Sequence, residues 1–326
     1  MKLKNSLAGC DFLKKQIKIV SIVGPTASGK TKLSVELAKR FSGEIVSADS
    51  MQIYKEMQIA TAKPTQEEMC GIKHHLIDFL PADKSYSVAM YVKDATQAIS
   101  EVNSKGLLPV IVGGTGLYID SLLNNITFNE ECRNEQLCEE LNNINKTQGT
   151  DKLLEILAEF DKDSADRLKE QHNPKRIIRA IEFYKTTGIT ITEQIEKSRL
   201  EGSPYRPIKI GLTCFDRQKL YDRINLRVDI MMQNGLLDEA QNVINSKLSQ
   251  TSIKAIGYKE LIPYFNNEKS LDECIEKLKR ETRRYAKRQL TWFKRDADIN
   301  WLYIDKYNSF NELYNEAVSI IEKGLK

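Results

Sequence analysis

The chain has 326 residues, 41% hydrophobic and 29% charged, with a net charge of +4. These proportions describe an ordinary globular protein, either one large domain with an insertion or two unequal domains, and they exclude a low-complexity chain or a global field that demands a polyanion. Charge is segregated instead: twelve Asp/Glu face six Lys/Arg between Glu130 and Glu170, while nine Lys/Arg face two Glu between Glu276 and Arg295, a distribution suited to oriented approach to a polyanion.

Residues 1–16 read as a charged leader. Leu7-Ala8-Gly9-Cys10 looks like a lipoprotein cleavage site, but it follows Lys4 too closely to leave the roughly 7–15 apolar residues a signal peptide needs. No run approaches the roughly 18 apolar residues of a membrane helix, so no membrane association is expected. The six cysteines, at 10, 70, 132, 138, 214 and 274, form no CxxC pair. Neither a zinc site nor a disulfide framework is indicated, and reduced thiols of a cytoplasmic protein are the simplest reading.

A β-branched run, Ile17 to Val23, reads as a strand and leads into Gly24-Pro25-Thr26-Ala27-Ser28-Gly29-Lys30-Thr31. This matches G-x-x-x-x-G-K-[ST], the phosphate-cradling loop of nucleotide-binding and ATP-binding proteins, and a helical pattern over 31–41 follows it. Strand, glycine loop and helix are the context this motif needs; a chance glycine-rich turn would not require it. The glycines let backbone amides turn inward on a phosphate. The helix N-terminus and Lys30 add positive charge, and Thr31 offers a hydroxyl suited to Mg²⁺. A phosphate or diphosphate group is the expected ligand.

Next come a strand at 44–47 running into Asp49, a strand at 74–79, a helix at 87–104, a strand at 108–112 and a helix at 115–123. The alternation predicts an α/β fold, a P-loop-type parallel sheet flanked by helices. Ligands of such sheets collect at the carboxyl ends of the strands, where the loop, Asp49 and the Gly113-Gly114-Thr115 turn all fall. Many P-loop enzymes of phosphoryl transfer carry an acid at the end of a second strand. Leu107 to Val112 ends in glycine instead, and Glu44 to Asp49 and His75 to Asp78 are weaker candidates. Asp49 fits a general base, a Mg²⁺ partner or a loop cap. His74 and His75 alternate across a strand, which argues for hydrogen-bonded structural roles rather than one metal site.

From 125 to 203 helical spacing dominates, predicting an all-helical domain inserted between core segments 17–124 and 204–326. The core resumes with a strand at 208–214, helices at 216–232, 235–247 and 270–296, a strand at 299–304 and a helix at 309–325. Two stretches interleave cations with apolar or aromatic residues: Lys175-Arg176-Ile177-Ile178-Arg179, and Arg280 to Arg295 with Tyr285 and Trp292. Either suits phosphate contacts with base stacking, and either also suits a solvated helix face.

Taken in order, these stretches resemble one family, the tRNA dimethylallyltransferases or isopentenyl-tRNA transferases of bacteria. The matching segments are Gly24–Thr31, Ser47–Tyr54, Thr61–Pro64, His74–Asp78, Gly113–Tyr118, Lys175–Glu182, Leu220–Asp229, Ala255–Glu260 and Lys287–Lys294. Ala60 departs from the glycine common before Thr61 in the family. The zinc finger of eukaryotic relatives is absent.

The resemblance implies a dimethylallyl group moved from dimethylallyl diphosphate to the exocyclic amine of the adenosine 3′ of the anticodon. Gly24, Thr26, Ala27, Ser28, Gly29, Lys30 and Thr31 would grip the diphosphate, with Mg²⁺ on Thr31. Asp49 would be the general base, Thr115 would line the reaction channel, and Lys30 and Arg223 would stabilise the leaving group. The tRNA would be met by Asp49, Ser50, Met51, Gln52, Thr115, Arg133, Lys175, Arg176, Ile177, Ile178, Arg179, Lys254, Lys259, Lys287, Arg288, Trp292 and Lys294. The implied protein is a cytoplasmic monomer. Two rivals stand beside it. A small-molecule or nucleoside kinase explains the loop and not the basic stretches; an RNA-binding module explains the basic stretches and not Lys30 and Thr31.

Overall fold

A computed structural model describes residues 16–126, 134–246, 248–249 and 251–326. Six strands, β1 (Ile17–Val23), β2 (Gly43–Ser47), β3 (His74–His75), β4 (Leu108–Gly113), β5 (Tyr205–Thr213) and β6 (Asn300–Tyr303), form one parallel sheet. Their order is β3-β2-β4-β1-β5-β6. The central strand β1 pairs Val20 with Val110 on one side and Ile208 on the other, and Ile19, Val20 and Ile22 are fully buried. Such a run of β-branched residues is what a strand covered on both faces requires.

One face of the sheet packs a cluster that includes Ile19, Ile99, Ile111, Tyr118 and Phe293. These come partly from helices Val88–Ser104, Gly116–Leu123 and Leu271–Phe293. The other face packs Val20, Ile22, Leu33, Leu37, Ala317 and Ile321, the last four from helices Lys30–Arg40 and Phe310–Leu325.

Several expected elements change length, three of them as follows. The strand expected at 74–79 stops after His75, because Leu76 and Asp78 adopt φ of 59° and 57°. Asp78 turns instead toward buried Lys63, whose Nζ reaches its Oδ1 at 2.5 Å. The strand expected from 208 starts at Tyr205; Pro207 is accommodated there because β6 pairs with β5 only from Ile210 onward, so the missing N–H costs no ladder bond on that side. The helix expected to reach 247 ends at Asn245.

Between Asn125 and Gly202 the chain forms helices Glu135–Gln148, Thr150–Ala158, Lys162–Lys169, Pro174–Thr187 and Ile191–Glu201. Asn134, Asp161 and Asn173 cap three of them through side-chain oxygens, each satisfying an otherwise orphaned amide. These helices build a core of their own from Leu141, Leu153, Leu157, Ile177 and Ile181. The two ends of the insertion lie side by side, with Asn125 Nδ2 donating to Gly202 O at 3.4 Å. Among the described residues no helix is long and apolar enough to cross a membrane.

Candidate active site

The loop after β1 is wound as its sequence demands. Gly29 caps the following helix at φ 89°, a left-handed conformation that a Cβ disfavours. Ala27 is held at φ 62° despite its Cβ, a strain of the kind found where function fixes the backbone. Lys30 Nζ donates to Pro25 O at 2.8 Å, which folds the side chain back over the loop.

Two further cations arrive from helix Arg217–Gln233. Arg223 donates through Nε to Ala27 O at 2.8 Å, and Arg227 through a terminal nitrogen to Thr26 Oγ1 at 3.2 Å. Spaced four apart, both project from one helix face. Burial pushes the Lys30 ammonium down to about 7, Arg227 adds to this, and Asp49 opposes it. Desolvation likewise lowers Arg227. Three positive groups crowd one loop, the electrostatic shape of an anion site.

Asp49 follows β2. Its Oδ1 accepts from the backbone of Met51 at 2.9 Å and Gln52 at 3.3 Å, leaving Oδ2 for other work. Thr115 stands behind this turn. Its Oγ1 accepts from Ser50 N at 3.1 Å while its own N–H donates to Ala48 O at 3.2 Å.

The phosphate loop, Arg223, Arg227 and Asp49 border a cavity of about 890 Å³. Thr26 to Thr31, Asp49, Ser50, Met51, Gln52, Arg223, Lys254, Lys259 and Arg288 all line it; Gly24 and Thr115 do not. Leu278, Thr282, Tyr285 and Gln289 form a wall from one face of the basic helix Leu271–Phe293. Desolvation, and next the Asp49 charge, raise the Tyr285 hydroxyl well above its ordinary value. Leu226 and Ile230, exposed at 60% and 44%, give the cavity an apolar edge.

A further wall is the segment 58–64. Glu239 holds it from outside, its carboxylate accepting from the backbone of Gln58, Ile59 and Ala60 at 2.9, 2.7 and 2.9 Å. Gln52 Nε2 donates to Thr61 O and Ala62 O, both at 3.2 Å. Ala60 is not among the positive-φ residues, so its Cβ is tolerated in place of glycine.

The residues expected to meet tRNA therefore divide. Lys175, Arg176 and Arg179 are exposed on the insertion helix Pro174–Thr187, and Lys287 on the basic helix and Lys294 at its C-terminal cap are exposed outside the cavity. Ile177 and Ile178 are a correction: at 0% and 5% exposure their side chains pack in the insertion core and are unavailable to RNA. Trp292 is half-buried, its indole N–H donating to Asp120 Oδ2 at 2.6 Å. Arg133 lies outside the described residues. His75 pairs with Glu44 at 2.6 Å and His74 bonds to Ile72 O.

Arg227, Gln289 and Glu239 were given no site role by the sequence, and Tyr285 only a stacking role on RNA rather than a place in the cavity wall. Arg227 carried a local signal, its four-residue spacing from Arg223, whereas Gln289 and Glu239 carried none.

The family model of IPP transferase matches residues 52–296. A tRNA dimethylallyltransferase from Caldanaerobacter subterraneus is 46% identical over 313 residues, covering 95% of this chain and 99% of the relative. One from Acetivibrio thermocellus is 47% identical over 293 residues, covering 89% and 93%. A tRNA isopentenylpyrophosphate transferase structure from Staphylococcus epidermidis superposes with a TM-score of 0.69 at 43% identity, over 94% of this chain and 100% of that one. A eukaryotic dimethylallyltransferase acting on tRNA gives 0.81 at 27% identity, over 94% and 80%.

Proposed function

The chain belongs to the IPP transferase family, as a prenyltransferase of tRNA, and from that membership we propose the donor, the acceptor atom and the role of each site residue. The donor is dimethylallyl diphosphate, and the acceptor is the exocyclic amine of the adenosine 3′ of the anticodon. The observation that carries this reading is the convergence of Lys30, Arg223 and Arg227 on a phosphate loop that shares one cavity with Asp49 and with apolar Leu226 and Ile230. A diphosphate needs the cations, and a short hydrocarbon tail suits the apolar edge. The kinase alternative accounts for the first and not the second.

In the reaction the amine nitrogen forms a bond to the prenyl C1 as the bond from C1 to the diphosphate oxygen breaks. An adenine amine is a weak nucleophile, so a base that accepts its proton lowers the barrier. Asp49 is that base: Oδ1 is held by two amides and Oδ2 is left to face the substrate. Negative charge grows on the departing diphosphate, where Lys30, Arg223 and the loop amides stabilise it. The base must leave its stack to reach the cavity.

Mg²⁺ fits the oxygen donors of this site. The Thr31 hydroxyl would hold it, on a cavity wall shared with the Asp49 and Glu68 carboxylates, and it would offset charge on the diphosphate. The exposed cations Lys175, Arg176, Arg179, Lys287 and Lys294 would grip the anticodon stem-loop from two sides. The reading carries with it a cytoplasmic monomer.

Incubation with unmodified tRNA and dimethylallyl diphosphate, beside an ATP hydrolysis control, tests the proposal. Prenylated adenosine without ATP turnover is expected. ATP-dependent phosphorylation with no prenyl transfer would establish the kinase instead.

A further inference from the structure

One buried polar side chain in the cavity wall bridges the phosphate loop and the turn after β4. Gln289, 6% exposed, projects from the basic helix into the space between the phosphate loop and the turn after β4. Its Oε1 accepts from the Thr26 backbone N–H at 2.9 Å, and its Nε2 donates to Gly114 O at 3.0 Å. A carbonyl can only accept and an N–H can only donate, so the two partners fix the amide's orientation.

The fit is close. A Cβ on Gly114 would stand 2.1 Å from Gln289 Nε2, so glycine at that turn is what admits the side chain. Each end of the bridge leads to a functional element. Thr26 is the loop residue whose hydroxyl Arg227 holds. Gly114 precedes Thr115, which supports the turn carrying Asp49 through Ser50. On the helix itself, Arg288 lines the cavity beside Gln289, while Lys287 is exposed one residue further back.

We propose that Gln289 is a positioning residue coupling the RNA-facing helix to the phosphate loop, so that tRNA and the diphosphate donor strengthen each other's binding. The role rests on the function proposed above. An RNA that grips Arg288 and Lys287 restrains the helix, and the restraint reaches the Thr26 amide through one side chain. A loop so restrained pays less to order around a diphosphate, and the coupling is reciprocal between the two ligands.

The experiment measures the dissociation constant of inorganic pyrophosphate, alone and with saturating unmodified tRNA, for the wild type, Gln289→Met and Gln289→Glu. Methionine keeps the volume and makes neither bond; glutamate keeps the acceptor toward Thr26 and loses the donor toward Gly114. In the wild type, tRNA should tighten pyrophosphate binding by about tenfold. Gln289→Met should lose most of that gain and Gln289→Glu, which keeps the Thr26 bond, only part of it, both binding tRNA within about threefold of wild type, and in Gln289→Met KM for dimethylallyl diphosphate should rise more than kcat falls. A residue that merely stabilised the helix would lower the melting temperature and leave the gain intact. An intact gain in a folded variant, or no gain in the wild type, overturns the coupling.

Should both variants unfold, hydrogen exchange at the Thr26 amide of the wild type decides. Slower exchange on adding tRNA supports the coupling, and unchanged exchange overturns it. Failure of the functional reading is separable: it would appear as pyrophosphate and tRNA binding, coupled or not, with no prenyl transfer.

Discussion

Glu239 holds Ala60 from behind the cavity wall, accepting its backbone N–H through Oε1 at 2.9 Å while Tyr258 donates its hydroxyl to the same oxygen at 3.0 Å. With Gln58 and Ile59 on Oε2, one carboxylate satisfies three consecutive amides. Hydrogen bonds to a charged acceptor are worth about 1.5–3 kcal/mol each, although bonds that share one acceptor do not add fully. Glu239→Ala should cost about 2–4 kcal/mol in urea unfolding. The amides of Gln58, Ile59 and Ala60 should exchange faster by orders of magnitude. Retained protection at these amides would show that the wall is held by something else.

Asp49→Asn separates capping from catalysis. The amide oxygen can still accept from Met51 and Gln52, so the turn and both binding affinities should survive within a few fold. Turnover should fall by roughly 10²–10⁴, because an amide has no useful basicity. Lost tRNA binding with intact single-turnover chemistry would instead make Asp49 an adenine-positioning residue.

If Lys30 meets the leaving group as proposed, Lys30→Ala should cost about 2–4 kcal/mol in the transition state. tRNA affinity without donor should hardly change. Near-normal turnover in this variant would contradict the diphosphate assignment.

The pH dependence follows from the same residue. Lys30 sits at about 7 in the free protein against 10.5 ordinarily. Between those values the unfolded chain carries the extra proton, so the contribution of Lys30 makes the free protein more stable as pH rises across that window. A bound diphosphate draws the pKa back up, so binding takes up a proton above pH 7 and weakens as pH rises. Calorimetry in buffers of different ionisation heat should show proton uptake at pH 8 that is absent from Lys30→Met. Equal uptake in the variant would place the titrating group elsewhere.

Removing Lys287, Lys294, Lys175, Arg176 or Arg179 should weaken tRNA binding and flatten its salt dependence, since each phosphate contact releases counterions. Ile177→Ala should behave differently. It should destabilise the insertion by about 2–5 kcal/mol as a core cavity, leaving the salt slope of the folded protein unchanged. Unaltered slopes in the cationic variants would mark those residues as a solvated face.

The phosphate loop was legible in the sequence because its chemistry constrains consecutive residues: glycine where φ is positive, lysine where charge is needed, a strand before and a helix after. The sheet was legible for a similar reason, in β-branched runs separated by helical periodicity. Ile177 and Ile178 were misassigned because they sit within a basic motif; with Ile181 they follow the 3.6-residue period of a buried face. Gln289 and Glu239 were invisible for a physical reason. Their backbone partners lie 263 and 175 residues away for Gln289 and about 180 away for Glu239, and such an amide or carboxylate has no signature until the fold supplies those partners.

The adjoining ends of the insertion, Asn125 against Gly202, bear on how such a chain can change over time. Beside them Ile17 N–H donates to Pro204 O at 2.9 Å, seating the start of β1 against the segment that returns from the insertion. A segment that departs and re-enters at one point imposes a closure cost that grows only logarithmically with its length. The inserted helical module can therefore lengthen, shorten or be exchanged while the register of the sheet, and with it the spacing of Lys30 from Asp49, is left untouched. Divergence in the module and constancy in the chemistry are architecturally independent.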